Sequence, residues 1–212
     1  MIRAAFYAPM KSPRSAVPSG DRAMARALQK ALLSQDIETE LASELQSRDG
    51  AGNPNIQDRL LSQAQQEKER IIRQGRTSGW DIWVTYHNYY KAPDLIGPDV
   101  SKALSIPYFL VESTRARKRL SGPWARFAAL AETATDAAAA VFYFTKHDEE
   151  ALRVYGRPDQ KLVWIRPFLA RDDLPPETSR HYGMLSVGMF RAGDKTASFQ
   201  LIADTLQRIS AP

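Results

Sequence analysis

Residues 2–33, IRAAFYAPMKSPRSAVPSGDRAMARALQKALL, read as a strand, a long polar loop and a helix, and the rest of the chain repeats that plan. The apolar run Ile2 to Ala8 has the length of a buried strand, and Pro9, Pro13 and Pro18 then forbid regular structure across the loop. Ser19 can cap a helix in which Met24, Ala27, Leu28, Ala31 and Leu32 recur at helical spacing. In an open parallel sheet, ligands bind beyond the carboxyl ends of the strands, where such loops meet helix N-termini. Ser19, Gly20, Asp21 and Arg22 therefore stand where an anion or a sugar would meet free amide N–H groups. A capped helix behind a surface loop that binds nothing is the plain alternative, because the loop lacks a full GxGxxG pattern.

Outward from this unit, strand and helix signals alternate. Short β-forming runs fall at 36–42, 81–87, 106–112, 138–144 and 161–165; helical patterns fall at 56–75 (closed by Gly75 or Gly79), 93–104, 123–137 and 146–155. Strands alternating with helices at this spacing predict an α/β fold: a Rossmann-like, doubly wound parallel sheet with helices on both faces. Residues 171–183, RDDLPPETSRHYG, have the composition of a linker, and a further strand (184–190) and helix (196–209) follow it. One strand and one helix cannot bury a core of their own, so they are expected to open a second domain and to pack on a neighbouring copy in its absence.

The chain has 212 residues, 43% of them apolar and 25% charged, and no run long enough to cross a bilayer. It holds no cysteine, which excludes disulfide and thiolate chemistry and fits a reducing cytoplasm. An excess of 29 basic over 24 acidic residues biases it towards anionic partners. The densest basic cluster, Arg115, Arg117, Lys118 and Arg119, precedes Trp124 and suits either a solvated loop or peripheral contact with an anionic membrane face. Nothing resembles a nucleic-acid recognition pattern.

His87, His147 and His181 are scattered, without metal-ligand spacing, and no metal is expected. His87 closes a strongly β-forming run beside Tyr86, Asn88, Tyr90 and Lys91, a group of hydrogen-bonding and flat apolar side chains of the kind that grip sugars. A His bonded to backbone is the alternative. Glu112 and Ser113 end the neighbouring strand; Glu112 could act as a base, or pair with Arg115 or Arg117 for structural reasons. Arg191 and Lys195 flank Gly193 before a helix start, an arrangement suited to a diphosphate.

Taken in order, YAP…VPSGDRAMARAL, DIWVTYHNYYKAPDLIGP, IPYFLVEST, KLVWIRPFL and SVGMFRAGDK…LIADTL resemble bacterial glycosyltransferases of the family 4 type, which have the two-domain GT-B fold. The resemblance implies an N-terminal acceptor-binding domain over residues 1–175, a linker at 176–183 and the first strand and helix of a donor domain at 184–212. It implies transfer of a sugar, with retention, from a nucleotide-sugar co-substrate to a glycan or lipid-linked acceptor, with no other cofactor. His87 and Glu112 would be the catalytic candidates. Ser19, Gly20, Asp21, Arg22, Tyr86, Asn88, Tyr90, Lys91, Ser113 and Arg115 would line the acceptor side, and Arg191 and Lys195 would face the donor diphosphate. Lys195 matches the family's lysine, whereas Arg191 stands two positions beyond its arginine. The family's paired donor-site glutamates fall past Pro212, so residues 1–212 alone are expected to be inactive, in the cytoplasm or at the inner face of the membrane. The competing expectations are a non-catalytic binding or scaffolding module and a flavodoxin-like nucleotide-binding protein.

Overall fold

The computed structural model describes residues 1–170, 176–177, 179, 185–188 and 193–210. The chain divides into two compact units, Met1–Asp172 and Asp173–Pro212. The first is an α/β domain in which every strand pairing is parallel. Its strands are β1 (Ile2–Tyr7), β2 (Ile37–Ser43), β3 (Ile82–Asn88), β4 (Tyr108–Ser113), β5 (Ala140–Tyr143) and β6 (Lys161–Trp164). Their order across the sheet is β2-β1-β3-β4-β5-β6. That order reverses direction between β1 and β3, which makes the carboxyl ends of these two strands the topological switch point, where such sheets bind ligands.

The pleat divides the core in two. Ala5, Tyr7, Trp83, Tyr108, Leu110, Val141 and Tyr143 face a cluster shared with Leu60, Ala64, Ile71, Val100, Phe127 and Leu152. These come from helices α2 (Pro54–Ser78), α3 (Gly97–Leu104), α4 (Ala125–Ala137) and α5 (Lys146–Tyr155). The alternate residues Ala4, Phe6, Val84, Tyr86 and Val111 face Ala25 and Leu28 of α1 (Gly20–Leu33). Helices thus cover both faces, as right-handed crossovers from β1 outward in each direction require. Beside α1, the sheet face carries an apolar groove of about 610 Å³ lined by Val84, Phe109, Phe142 and Phe168, among others.

Local signals explain the helix ends. Ser19 is the N-cap of α1 and its hydroxyl accepts the Arg22 N–H, as the sequence predicts. The second helix begins earlier than its apolar stripe indicates, because Asn53 caps it and Pro54 opens it. Gly79, left-handed at φ 65°, ends it; Gly75 lies inside it. Helix α3 starts at Gly97 rather than Pro93, since the Asp94 carboxylate accepts the Ile96 and Gly97 N–H groups and ties residues 94–97 into a turn.

In the second unit, α6 spans Asp194–Ser210 and exposes Leu201, Ile202 and Ile209. The expected strand at 184–190 lies partly outside the described residues, and its described part, 185–188, has no regular structure. Arg191, His181 and most of the expected linker also lie outside them. Among the described residues no helix is long and apolar enough to cross a membrane.

Candidate functional site

At the switch point two strands break the pleat together. Trp83 and Thr85 face the α2–α4 side and Val84 and Tyr86 the α1 side, so simple alternation would send His87 towards α3 and α4. Instead His87 takes φ 68°, and on the neighbouring strand Glu112 takes φ 58°. The two are lateral neighbours, since Tyr86 pairs with Val111 and Asn88 with Ser113. A left-handed backbone costs a non-glycine residue about 1–2 kcal/mol. Here it reverses the side-chain alternation in both strands at once.

The residues after the reversal turn inward. Asn88 donates to the Ser113 and Thr135 hydroxyls and to the Ala131 carbonyl, and its own amide oxygen accepts the Asp94 N–H. Asn88 and Ser113 are buried, so these two expected acceptor contacts belong to the joint between β3, β4 and α4. Arg115 is likewise corrected: its side chain is 1% exposed and ion-paired with Glu132 and Asp136, which fixes the loop after β4 to α4. Its Nε is buried without a partner.

The residues at the reversal turn the other way. His87 Nδ1 lies 3.1 Å from Asp21 Oδ1, at the start of α1. The hydrogen bond from His87, above all, holds the Asp21 carboxyl below its ordinary range, against the opposing effect of partial burial. An ionised carboxylate can only accept, so Nδ1 carries the proton of this contact and Nε2 of the neutral ring keeps its lone pair. Beside the pair, burial first and the Glu112 charge and hydrogen bond second push the Tyr86 hydroxyl far up, so Tyr86 serves Glu112 as a neutral donor.

From His87 a row of rings runs along the rim. Its imidazole lies 5.7 Å from the Tyr86 ring and 5.0 Å from Tyr89; Tyr89 lies 5.4 Å from Tyr90, and Tyr90 meets Trp124 edge-on at 5.8 Å. Lys91 and Arg119 each stand over both Tyr90 and Trp124. A buried polar brace holds this row. Asp49 accepts N–H groups from Ala51, Gly52, Asn53 and Gln57, its own N–H donates to the Lys91 carbonyl, and Trp124 Nε1 donates to the Asp49 carbonyl. Burial works to raise the Asp49 pKa, but these donors outweigh it and hold the carboxyl low. Gly52, at φ +71°, lies where a Cβ would come within 2.5 Å of Pro123.

The loop after β1 is held by side chains of the helix that follows it. Arg22 donates to the Ser15 and Ala16 carbonyls and Arg26 to that of Pro13, so Arg22, expected on the acceptor side, is committed to holding the loop. Ser19 is spent on its cap, and Gly20 is exposed. The structure therefore gathers Asp21, Tyr86, His87, Tyr90, Lys91 and Glu112 at the rim and sends Asn88, Ser113 and Arg115 inward. Lys195 is exposed in α6 of the second unit. Tyr89, Arg119 and Trp124 join the site beyond the sequence expectation. Among the described residues no group of three or more His, Asp or Glu side chains is arranged to hold a metal ion.

Fold and rim together define a Rossmann-like α/β domain with a His–Asp pair at its switch point. Comparisons with protein-family models and with curated proteins give no match. Among solved structures, the chain aligns with Glycyrrhiza uralensis UGT73P12, complexed with glycyrrhetinic acid 3-O-monoglucuronide, at 12% identity and a TM-score of 0.44, covering 79% of this chain and 49% of that one. It aligns also with a UDP-glucosyltransferase from Polygonum tinctorium capable of glucosylating indoxyl, complexed with 3,4-dichloroaniline, at 13% identity and a TM-score of 0.43, covering 79% and 53%. The chain thus spans about half the length of each.

Proposed function

We propose that this chain is the acceptor-binding part of a glycosyltransferase that moves a sugar from a nucleotide-sugar donor to an acceptor hydroxyl. The observation that carries the reading is the Asp21–His87 pair, held at the switch point by a backbone reversal that points the imidazole out of the core. His87 Nε2 takes the proton of the acceptor hydroxyl as its oxygen bonds to the anomeric carbon of the donor. The bond from that carbon to the diphosphate breaks, and the diphosphate leaves with the electron pair. Asp21 keeps the imidazole in the useful tautomer and stabilises the imidazolium that forms. Glu112, hydrogen-bonded to Tyr86, orients a second acceptor hydroxyl, and the rings of Tyr89 and Tyr90 offer flat faces to the sugar.

The sequence resemblance implies retention. The step described above departs from that expectation: with His87 as base on the acceptor side it is direct displacement from the face opposite the diphosphate, which inverts the anomeric centre. The same residues weigh against a scaffolding module, since left-handed strain at His87 and Glu112 persists where the direction of a side chain matters. In this reading Arg191 and Lys195 meet the donor diphosphate, α6 packs through its exposed apolar residues on a partner copy, and the basic surface suits a cytoplasmic protein that visits an anionic membrane face.

The test is transfer and hydrolysis assayed with several nucleotide sugars. Residues 1–212 alone are expected to be silent, and robust turnover would refute that expectation. Joined to a donor-binding domain, the chain is expected to gain transfer, and His87→Ala to lower it by about 10²–10⁴-fold. Full activity in that variant would remove the carrying observation, and the anomeric configuration of the product decides between retention and inversion.

A further inference from the structure

Lys91 and Arg119 share one pair of aromatic rings. The Lys91 Nζ lies 5.7 Å from the Tyr90 centroid and 5.1 Å from that of Trp124; the Arg119 guanidinium carbon lies 5.2 and 5.5 Å from the same two. Neither cation has an ion-pair partner among the described residues; what sets the two apart from other unpaired cations is that they share these rings. Both cations lie within 5.1–5.7 Å of the same two ring centroids, and an anion that met both would offset their like charge. A third cation, Arg48, reaches the Tyr89 hydroxyl: burial pushes that phenol up, and the charge and hydrogen bond of Arg48 oppose it.

The support is built and fixed. Trp124 is tied by its Nε1 to the Asp49 carbonyl, and Lys91 by its carbonyl to the Asp49 N–H, so both ring and cation hang from one buried carboxylate turn. Trp124 is half-buried and edge-on to Tyr90, so it is not free to insert into a bilayer as a membrane-seeking indole does. The ring centroids step 5.0 and 5.4 Å from His87 through Tyr89 to Tyr90, the ring over which both cations stand.

Resting on the acceptor reading above, we propose that the acceptor is an acidic glycan, and that Lys91 and Arg119 grip the carboxylate of a uronic acid residue next to the sugar presented to His87. The guanidinium fork and the ammonium match a planar carboxylate, and the rings that hold them flank the adjoining sugar.

The test is binding by the full 212-residue chain, followed by calorimetry and independent of any transfer. The probes are α-1,4-digalacturonate, the neutral α-1,4-galactobiose and phosphatidylglycerol vesicles. Digalacturonate is expected to bind at least about tenfold more tightly than galactobiose and to weaken with added salt. Lys91→Ala and Arg119→Ala are each expected to abolish that preference while leaving the melting temperature unchanged, and Arg119→Lys to keep part of it. Equal affinity for the two sugars, or a preference untouched by both substitutions, overturns the acidic subsite and leaves the acceptor reading standing. Failure of both sugars to bind overturns the two together. Vesicle binding that the same substitutions remove, without sugar binding, assigns the cations to a membrane surface instead and overturns the proposal.

Discussion

Asp94 and Asp21 are both carboxylates near the carboxyl ends of the strands, yet one is closed on every side and the other is half open. Asp94 accepts from the Thr85 and Tyr108 hydroxyls and from the Ile96 and Gly97 N–H groups, and it is 3% exposed. Burial lifts its pKa more than those donors lower it. Asp21 has one side-chain partner, His87, retains solvent contact, and has its pKa lowered. A carboxylate with all its positions filled serves the fold. One with a single partner, whose other nitrogen is free, is left with something to do.

The largest expected effect tests the structural side of this contrast. Asp94→Ala strands two hydroxyls and two N–H groups in the core and is expected to cost about 3 kcal/mol or more, whereas Asp21→Ala is expected to cost under about 1 kcal/mol. Urea unfolding of both variants measures this, and equal losses would erase the distinction. Gly52→Ala comes next. It forces a Cβ against Pro123 at a left-handed backbone and is expected to cost about 1–3 kcal/mol, with the Trp124 fluorescence shifting as the brace under the ring row loosens.

His87→Gly sharpens the functional side. Glycine adopts φ 68° without strain, so the variant is expected to stay within about 1 kcal/mol of the parent, or to gain, by thermal melting. A severe loss would make His87 a structural residue.

The smallest effect lies in opposite pH signatures. Asp21 has a lowered folded-state pKa, so its contribution is present above the unfolded value of about 3.9 and is lost as the pH falls through the folded one. The advantage of the parent over Asp21→Asn should therefore shrink in acid. Asp94 has a raised folded-state pKa, so the folded state holds its proton more tightly and the parent should gain on Asp94→Asn as the pH falls towards the same value. Parallel pH curves for the two pairs would contradict both assignments.

Most of the sheet was legible because its signals are local. Apolar runs, proline breaks and the Ser19 cap act within a few residues, and the structure places β1, α1 and α5 within a residue or two of their expected ends. The start of α3 was not legible, since Pro93 reads as a helix opener until Asp94 is seen to bind the amides two and three residues on. The site was half legible. His87 was visible as the polar end of a β-forming run, but its partner Asp21 is 66 residues away and adjoins it only because β1 and β3 are neighbours in the sheet. Asn88, Ser113 and Arg115 were expected at the rim because they stand at or just past the ends of adjacent strands, a position that does not say which way a side chain faces. The paired left-handed turns at His87 and Glu112 reversed the alternation there, and no glycine marked them.

The most direct test of the central claim is a magnetic resonance titration of the isotope-labelled 212-residue chain with an oligosaccharide panel and, separately, with UDP. The account predicts that a sugar shifts the His87 imidazole and the Tyr89 and Tyr90 rings, and that UDP leaves the Ser19 and Gly20 amides unmoved. Micromolar UDP binding at Ser19 and Gly20, with no sugar response at His87, would contradict it and make the rim a nucleotide site.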